Sequence, residues 1–195
     1  MTGIIILAAG SSSRMGQPKQ QLVYEQNTLL QRSINIALSI PQAIVLIVLG
    51  ANAEAIKTDI ADQPVQIIDN IYWETGMSSS IKAGINILAN YPGIDDALLM
   101  LCDQPFVNVA LLKQLISHRP QTGGYIIACQ YGDTLGVPAL FSKYYFDELL
   151  ALDGQDGAKK VLMKHKQNAI AIPFEQGSID IDTPADFNNL TKGQF

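Results

Sequence analysis

Apolar residues fall along this chain in short continuous runs, separated by stretches in which they recur every third or fourth position. The runs read as buried strands and the spaced stretches as amphipathic helices. Ile4–Ala8 predicts a first strand. Thr28-Leu-Leu-Gln31 has the spelling of a capping box and predicts a helix over Leu29–Ser39, with Leu30, Ile34 and Leu38 on its apolar face. Ala43–Leu49 predicts a second buried strand ended by Gly50, followed by a helix over Ala53–Ala61 and a strand at Val65–Ile68. Ser78 is placed to cap a helix running through Ile81, Ile85 and Leu88. Ala97–Cys102 follows as a strand, and Asn108 opens a helix reaching His118. Tyr125–Cys129 and Val137–Phe141 predict strands, Lys143–Leu152 and Ala158–His165 helices, and Ala169–Ile172 and Ile179–Ile181 extended segments. Pro184 starts the last helix. Strand and helix alternate, which points to βαβ units and an α/β fold around a mostly parallel sheet. With no repeat, low-complexity tract or linker, residues 1–195 are expected to form one domain.

Composition narrows the classes. The chain is 48% hydrophobic and 16% charged, which is globular. A net charge of -5 argues against nucleic-acid binding. No apolar run approaches membrane-spanning length, and the start lacks a basic leader, so a cytoplasmic protein is expected. Cys102 and Cys129 lie in apolar runs and read as buried thiols; His118 and His165 have no ligand-spaced partners, so no zinc site is expected.

The chemistry gathers where strands end. The first strand runs into Leu7-Ala-Ala-Gly10-Ser-Ser-Ser-Arg14-Met-Gly16-Gln-Pro18-Lys19, a small-residue loop with two cations and no acid. Small residues let backbone N–H groups approach an anion, Arg14 offers a fork to phosphate oxygens and Lys19 a point charge. Five residues separate Gly10 from Gly16, so this is neither a P-loop nor a dinucleotide fingerprint. Pro18 disfavours helix at Gln17, so no helix is expected to start within the loop. Asp103 emerges from the Ala97–Cys102 strand and reads either as a magnesium ligand or as the cap of the next turn. Asp180 and Asp182 alternate along one extended face, and Asp182 is also placed to cap the helix at Pro184. Asn70, Gly76, Ser78 and Ser80 can offer amide, hydroxyl and backbone groups to a base or ribose. Helix capping is the plainer reading of Ser78.

Taken together, Leu7-Ala-Ala-Gly10…Arg14-Met-Gly16…Pro18-Lys19, Gly76-Met-Ser-Ser-Ser80, Cys102-Asp-Gln-Pro105, Gly136-Val-Pro138-Ala-Leu-Phe141, Gly154-Gln-Asp-Gly-Ala158 and Asp180-Ile-Asp-Thr-Pro184 span nearly the whole chain. In that order they resemble the MobA-like nucleotidyltransferases, and more closely their molybdenum cofactor cytidylyltransferase branch. The resemblance implies a Rossmann-like three-layer α/β/α fold of the nucleotide-diphospho-sugar transferase type. It also implies a nucleoside triphosphate bound by Leu7, Ala8, Ala9, Gly10, Arg14 and Lys19 with Asn70, Gly76, Ser78 and Ser80, and Mg²⁺ held by Asp103 with Asp182 or Asp180. Arg14, Lys19 and Asp103 would carry catalysis. The Leu-Ala-Ala-Gly spelling is associated in the family with cytidine over guanosine. Gly136, Pro138 and Asp156 would face the acceptor, molybdopterin or its molybdenum-bearing form, and a molybdenum hydroxylase would be the downstream partner. Val137 and Lys159 depart from the family's frequent His and Arg on that side. The same chemistry on a sugar or alditol phosphate, or with GTP, and a non-catalytic cofactor chaperone are the alternatives.

Overall fold

A computed structural model describes residues 1–195. Its strands are β1 (Thr2–Ala8), β2 (Val23–Tyr24), β3 (Asn27–Thr28), β4 (Ile44–Leu49), β5 (Gln66–Asp69), β6 (Asp96–Leu101), β7 (Ile126–Tyr131), β8 (Thr134–Ser142) and β9 (Ile170–Pro173). The helices are α1 (Leu29–Leu38), α2 (Ala53–Asp59), α3 (Met77–Ala89), α4 (Val109–Ser117), α5 (Phe146–Leu150), α6 (Ala158–Lys164) and α7 (Pro184–Thr191). Seven strands form one sheet in the order β5-β4-β1-β6-β8-β7-β9, and β2 and β3 pair as a separate small ribbon.

The pleat of β1 builds the layers. Ile4 and Ile6 point into a core shared with Leu30 and Ile34 of α1, Ile56 of α2 and Leu112 of α4. Ile5 and Leu7 point the other way, onto Ile81 and Ile85 of α3, Phe146 and Leu149 of α5 and Leu162 of α6. Strands buried on both faces explain why their sequences are continuous apolar runs instead of alternating ones. β1 pairs in parallel with β4 and β6, and β4 with β5. β8 is the exception, antiparallel to both β6 and β7.

Proline in an inner strand needs a break in the ladder. The pairing jumps from Ala128–Ala139 to Cys129–Gly136, leaving Val137 and Pro138 as the excess residues of a bulge. Thr28 and Gln31 form the expected reciprocal cap of α1, and Asn108 caps α4 through the Leu111 N–H.

Local readings differ at four places. The Lys143–Leu152 helix is divided into a 3-10 turn, Lys143–Tyr145, and α5. Ile179–Ile181 joins no sheet; it is anchored by the Ile181 N–H, which donates to the Asp103 carbonyl at 2.9 Å while its side chain is buried against Met15, Leu22, Leu29 and Leu190. Gly76, not Ser78, occupies the cap position of α3. Thr183, not Asp182, caps α7, with Asp186 reciprocating and Pro184 in the first turn. The last two leave Ser78 and Asp182 available for other contacts.

Candidate active site

The loop after β1 is folded by its own side chains. Ser12 and Gly16 hold left-handed backbone conformations, with φ of 55° and 76°. Gly16 meets this without strain, whereas Ser12 is held by hydrogen bonds. The Ser12 hydroxyl accepts the Lys19 N–H at 3.1 Å and donates to Gln20 Oε1 at 3.3 Å. Gln20, only 1% exposed, donates from Nε2 to the carbonyls of Ala8 at 2.8 Å and Gly10 at 3.0 Å. Gly10 has no left-handed φ; a Cβ there would meet nothing within 4 Å, so its bare backbone borders open space. As expected, no α-helix begins in this loop; a 3-10 turn spans Lys19–Gln21.

In the sequence the two cations have no acid beside them, but in space they meet two, Asp103 and Asp182. Lys19 Nζ donates to Asp103 Oδ2 and, at 2.9 Å, to Asp182 Oδ1. Arg14 Nη2 reaches Asp182 Oδ2 at 2.8 Å, from a largely exposed side chain. One ammonium thus ties the first loop to the end of β6 and to the segment before α7. Burial alone would lower the Lys19 pKa, but the Asp103 and Asp182 carboxylates outweigh it and raise it. For Asp182 burial pushes upward and the Lys19 and Arg14 cations prevail, holding the carboxyl below the usual range. Asp180 goes the opposite way, to about 6, through partial enclosure and then the Asp103 and Asp182 charges. Its surface remains exposed, so the repulsion is partly screened. Cys102 is buried, and its thiol is pushed up to about 12 by burial and by Asp103, leaving it unreactive at neutral pH.

Of these groups Lys19, Cys102 and Asp103 line a cleft of about 350 Å³, whereas Arg14, Asp180 and Asp182 lie outside its lining. Leu7, Ala8, Ala9, Gly10, Lys19, Gly76, Ser80 and Asp103, all singled out from sequence, line it together with Trp73 and Gln155. Its place beyond the carboxyl ends of parallel strands is where open α/β sheets bind ligands. The far wall depends on Gly76. At φ 120° its backbone lies so close to the next loop that a Cβ would be 2.2 Å from the Gly154 carbonyl. The Ser78 hydroxyl donates to that same carbonyl at 2.8 Å, fastening Gly154–Ala158 beside α3.

Other candidates lie elsewhere. Asn70, 4% exposed, spends its amide on Ser79 Oγ and Ser80 Oγ at 2.8 and 2.9 Å, and accepts the Tyr72 N–H at 3.0 Å. Asn70 and Ser78 border a second hollow of about 500 Å³ with Lys82, not the cleft. They shape the wall from behind, because their polar groups already have partners. Gly136 is explained by packing: a Cβ would fall 1.6 Å from the Tyr131 hydroxyl. Pro138 is buried in the β8 bulge, and Asp156 accepts from Lys160 Nζ at 2.7 Å. None of these three lines the cleft, although Gln155, next to Asp156, does. Sequence reasoning gave no role to Gln20 or Gln104. Gln104 donates to the Gly177 carbonyl at 2.9 Å while its Oε1 is buried without a partner. The available signal was position, each glutamine being adjacent to a charged candidate, Lys19 or Asp103.

A small-residue loop, facing carboxylates and a cleft at the strand ends, on a mostly parallel seven-stranded sheet, define an α/β nucleotidyltransferase of the nucleotide-diphospho-sugar transferase type. The chain belongs to the MobA-like NTP transferase domain family, whose model matches residues 4–169. It is 30% identical over 184 residues to the molybdenum cofactor cytidylyltransferase of Escherichia coli, covering 94% of this chain and 92% of that one. It is 38% identical over 122 residues to nicotine blue oxidoreductase of Paenarthrobacter nicotinovorans, covering 62% and 58%. Among solved structures, Rv0371C of Mycobacterium tuberculosis in complex with manganese superposes with a TM-score of 0.80 at 27% identity, over 98% of this chain and 97% of that one.

Proposed function

We propose that this protein transfers CMP from CTP to the terminal phosphate of molybdopterin or its molybdenum-bearing form. The observation that carries the reading is the Lys19 bridge to Asp103 and Asp182, set against a cleft whose opposite wall is Gly76–Ser80. In the reaction an acceptor phosphate oxygen bonds to the α-phosphorus, the bond from that phosphorus to the β-phosphate oxygen breaks, and pyrophosphate leaves. No covalent enzyme intermediate is required, so the protein's work is positioning and charge neutralisation. Lys19 and Arg14 stabilise the negative charge that grows on the departing pyrophosphate. Gly10 allows close backbone approach, and Gly76, Ser80 and Trp73 bound the nucleoside side. The Ala8-Ala9-Gly10 spelling and the cytidylyltransferase relative favour CTP over GTP.

The donor set suits a hard divalent cation. Asp103 Oδ1 is buried without a hydrogen-bond partner, and Asp182 and Asp180 stand nearby. No three acid, His or Cys side chains are gathered at metal-binding spacing. Mg²⁺ asks for only one or two carboxylates alongside phosphate oxygens and water, so the residues fit. Asp103 with Asp182 or Asp180 would hold it, and when bound it would supply Lewis-acid neutralisation of the phosphates. The manganese complex of the mycobacterial relative supports a divalent ion here. No helix is long and apolar enough to cross a membrane, which accords with work in the cytoplasm, and a molybdenum hydroxylase is the consumer this product would serve. Pyrophosphate release from labelled CTP, measured with molybdopterin and in parallel with sugar phosphates and with GTP, tests the proposal. Release only with a sugar phosphate, or only with GTP, would overturn it.

A further inference from the structure

We infer that Gln20 is a positioning residue that ties back the Ala8 and Gly10 carbonyls and so leaves the loop after β1 with an excess of hydrogen-bond donors toward polyphosphate; the inference rests on the nucleotidyltransferase reading of this cleft. The Ala8 and Gly10 carbonyls accept from Gln20 Nε2, the Ala9 carbonyl from the Ala51 N–H at 3.0 Å, and the Ser12 carbonyl from Met15 and Gly16. The N–H groups of Gly10, Ser11, Ser12, Ser13 and Arg14 have no acceptor within the protein. Five consecutive donors are thus left over against three free carbonyls, those of Ser11, Ser13 and Arg14, and Gln20 keeps the Ala8 and Gly10 carbonyls out of that count. A phosphate is acceptor-only at its anionic oxygens, so a carbonyl turned toward it would repel it, whereas successive free N–H groups attract it.

Gln20 is the only side chain that reaches two of these carbonyls. Both neighbours of its Nε2 are acceptors, so the nitrogen must occupy that place and the amide has one permitted orientation. Ser12 holds its oxygen, and its 1% exposure leaves it no second arrangement. Gly10 and Ser11 line the same cleft as Lys19. The adjacent Lys19 supplies charge, and Gln20 supplies the orientation of the backbone around it.

The test uses inorganic tripolyphosphate as probe, with titration calorimetry and amide NMR on the wild type, Gln20→Leu and Gln20→Met. In the wild type, tripolyphosphate should move the amide resonances of Gly10–Arg14. In either variant the affinity should fall at least about tenfold and those shifts should vanish, the scale of losing charge-assisted contacts. Having two variants of similar volume guards against one failing to fold, and a thermal melt identifies which did. A folded variant that binds tripolyphosphate with wild-type affinity and the same amide shifts would overturn the inference alone. A wild type that binds neither tripolyphosphate nor any nucleoside triphosphate would overturn the inference and the reading beneath it.

Discussion

Replacing Lys19 with methionine keeps most of the side-chain volume and deletes one charge between two carboxylates. The side chains of Lys19 and Asp103 are 16% and 12% exposed, and Asp182 is 32% exposed. Removing one partner of a fully buried pair costs about 3–5 kcal/mol, because the other charge stays behind unpaired. Partial exposure of Asp182 brings the expectation here to roughly 2–3 kcal/mol at pH 7. For a chain of this size that lowers Tm by roughly 5–10 °C. The pH dependence supplies the sign. Asp182 has its folded pKa depressed below 3.8, so its contribution is present above that pH and is lost as pH falls through the lower folded value. Lys19 has its folded pKa raised above 10.5, so its contribution is complete below 10.5 and fades only at strongly alkaline pH. The deficit of Lys19→Met should therefore be largest between about pH 5 and 10 and shrink below pH 4. Urea unfolding of the wild type, Lys19→Met, Asp103→Asn and the double variant measures it, and the double variant should recover part of the loss. A cost below about 0.5 kcal/mol at pH 7, or a cost unchanged at pH 3, would refute the bridge as drawn.

Asp103→Asn should reduce turnover by about 10²-fold or more while the protein still unfolds cooperatively, since the change removes charge and not volume; steady-state kinetics beside a thermal melt checks both. Gly76→Ala forces a Cβ against the Gly154 carbonyl at an unfavourable φ, so a loss of roughly 2–3 kcal/mol is expected, together with a raised KM for CTP as the cleft wall shifts. Arg119→Ala serves as the contrast. Asp96 is fully buried, bonded by Arg119 at 2.9 Å and by Tyr125 at 2.6 Å. Losing Arg119 should destabilise by about 2–4 kcal/mol yet leave KM for CTP unchanged, because the pair lies at the opposite end of β6 from Asp103.

The layers were legible because β1, β4 and β6 are apolar without interruption and the helices between them keep a 3.6-residue period. The loop, Asp103 and the cleft-facing half of Gly76–Ser80 were legible for a related reason. Gly, Ser, Asp and Lys at strand ends have few structural duties that so exact a grouping serves. What the sequence hid was partnership at a distance. Nothing local shows that Lys19 meets Asp103 and Asp182, 84 and 163 residues away. For Ser78 the sequence offers both a nucleotide contact and the plainer reading of a helix cap, because a serine before an apolar period usually is one. The left-handed side of backbone space at Gly76 instead let the glycine take that position and freed Ser78 for Gly154. Gly136 and Asp156 carried motif-like spelling, yet packing against Tyr131 and an ion pair with Lys160 account for them. A glutamine such as Gln20 has no periodicity signature, and its weight becomes visible only when each backbone group is traced to its partner.

The Lys19 bridge also has a consequence in time. Its three members come from the beginning, the middle and the last part of the chain. During synthesis the sheet around β1, β4 and β6 can assemble first, but the lysine then has only one of its two carboxylates until Asp182 leaves the ribosome. A nascent chain, or one cut short before Asp182, would carry a pocket with its charge pattern unfinished. Closure of the charge pattern around Lys19 and Arg14 is thereby tied to synthesis of the segment that precedes α7.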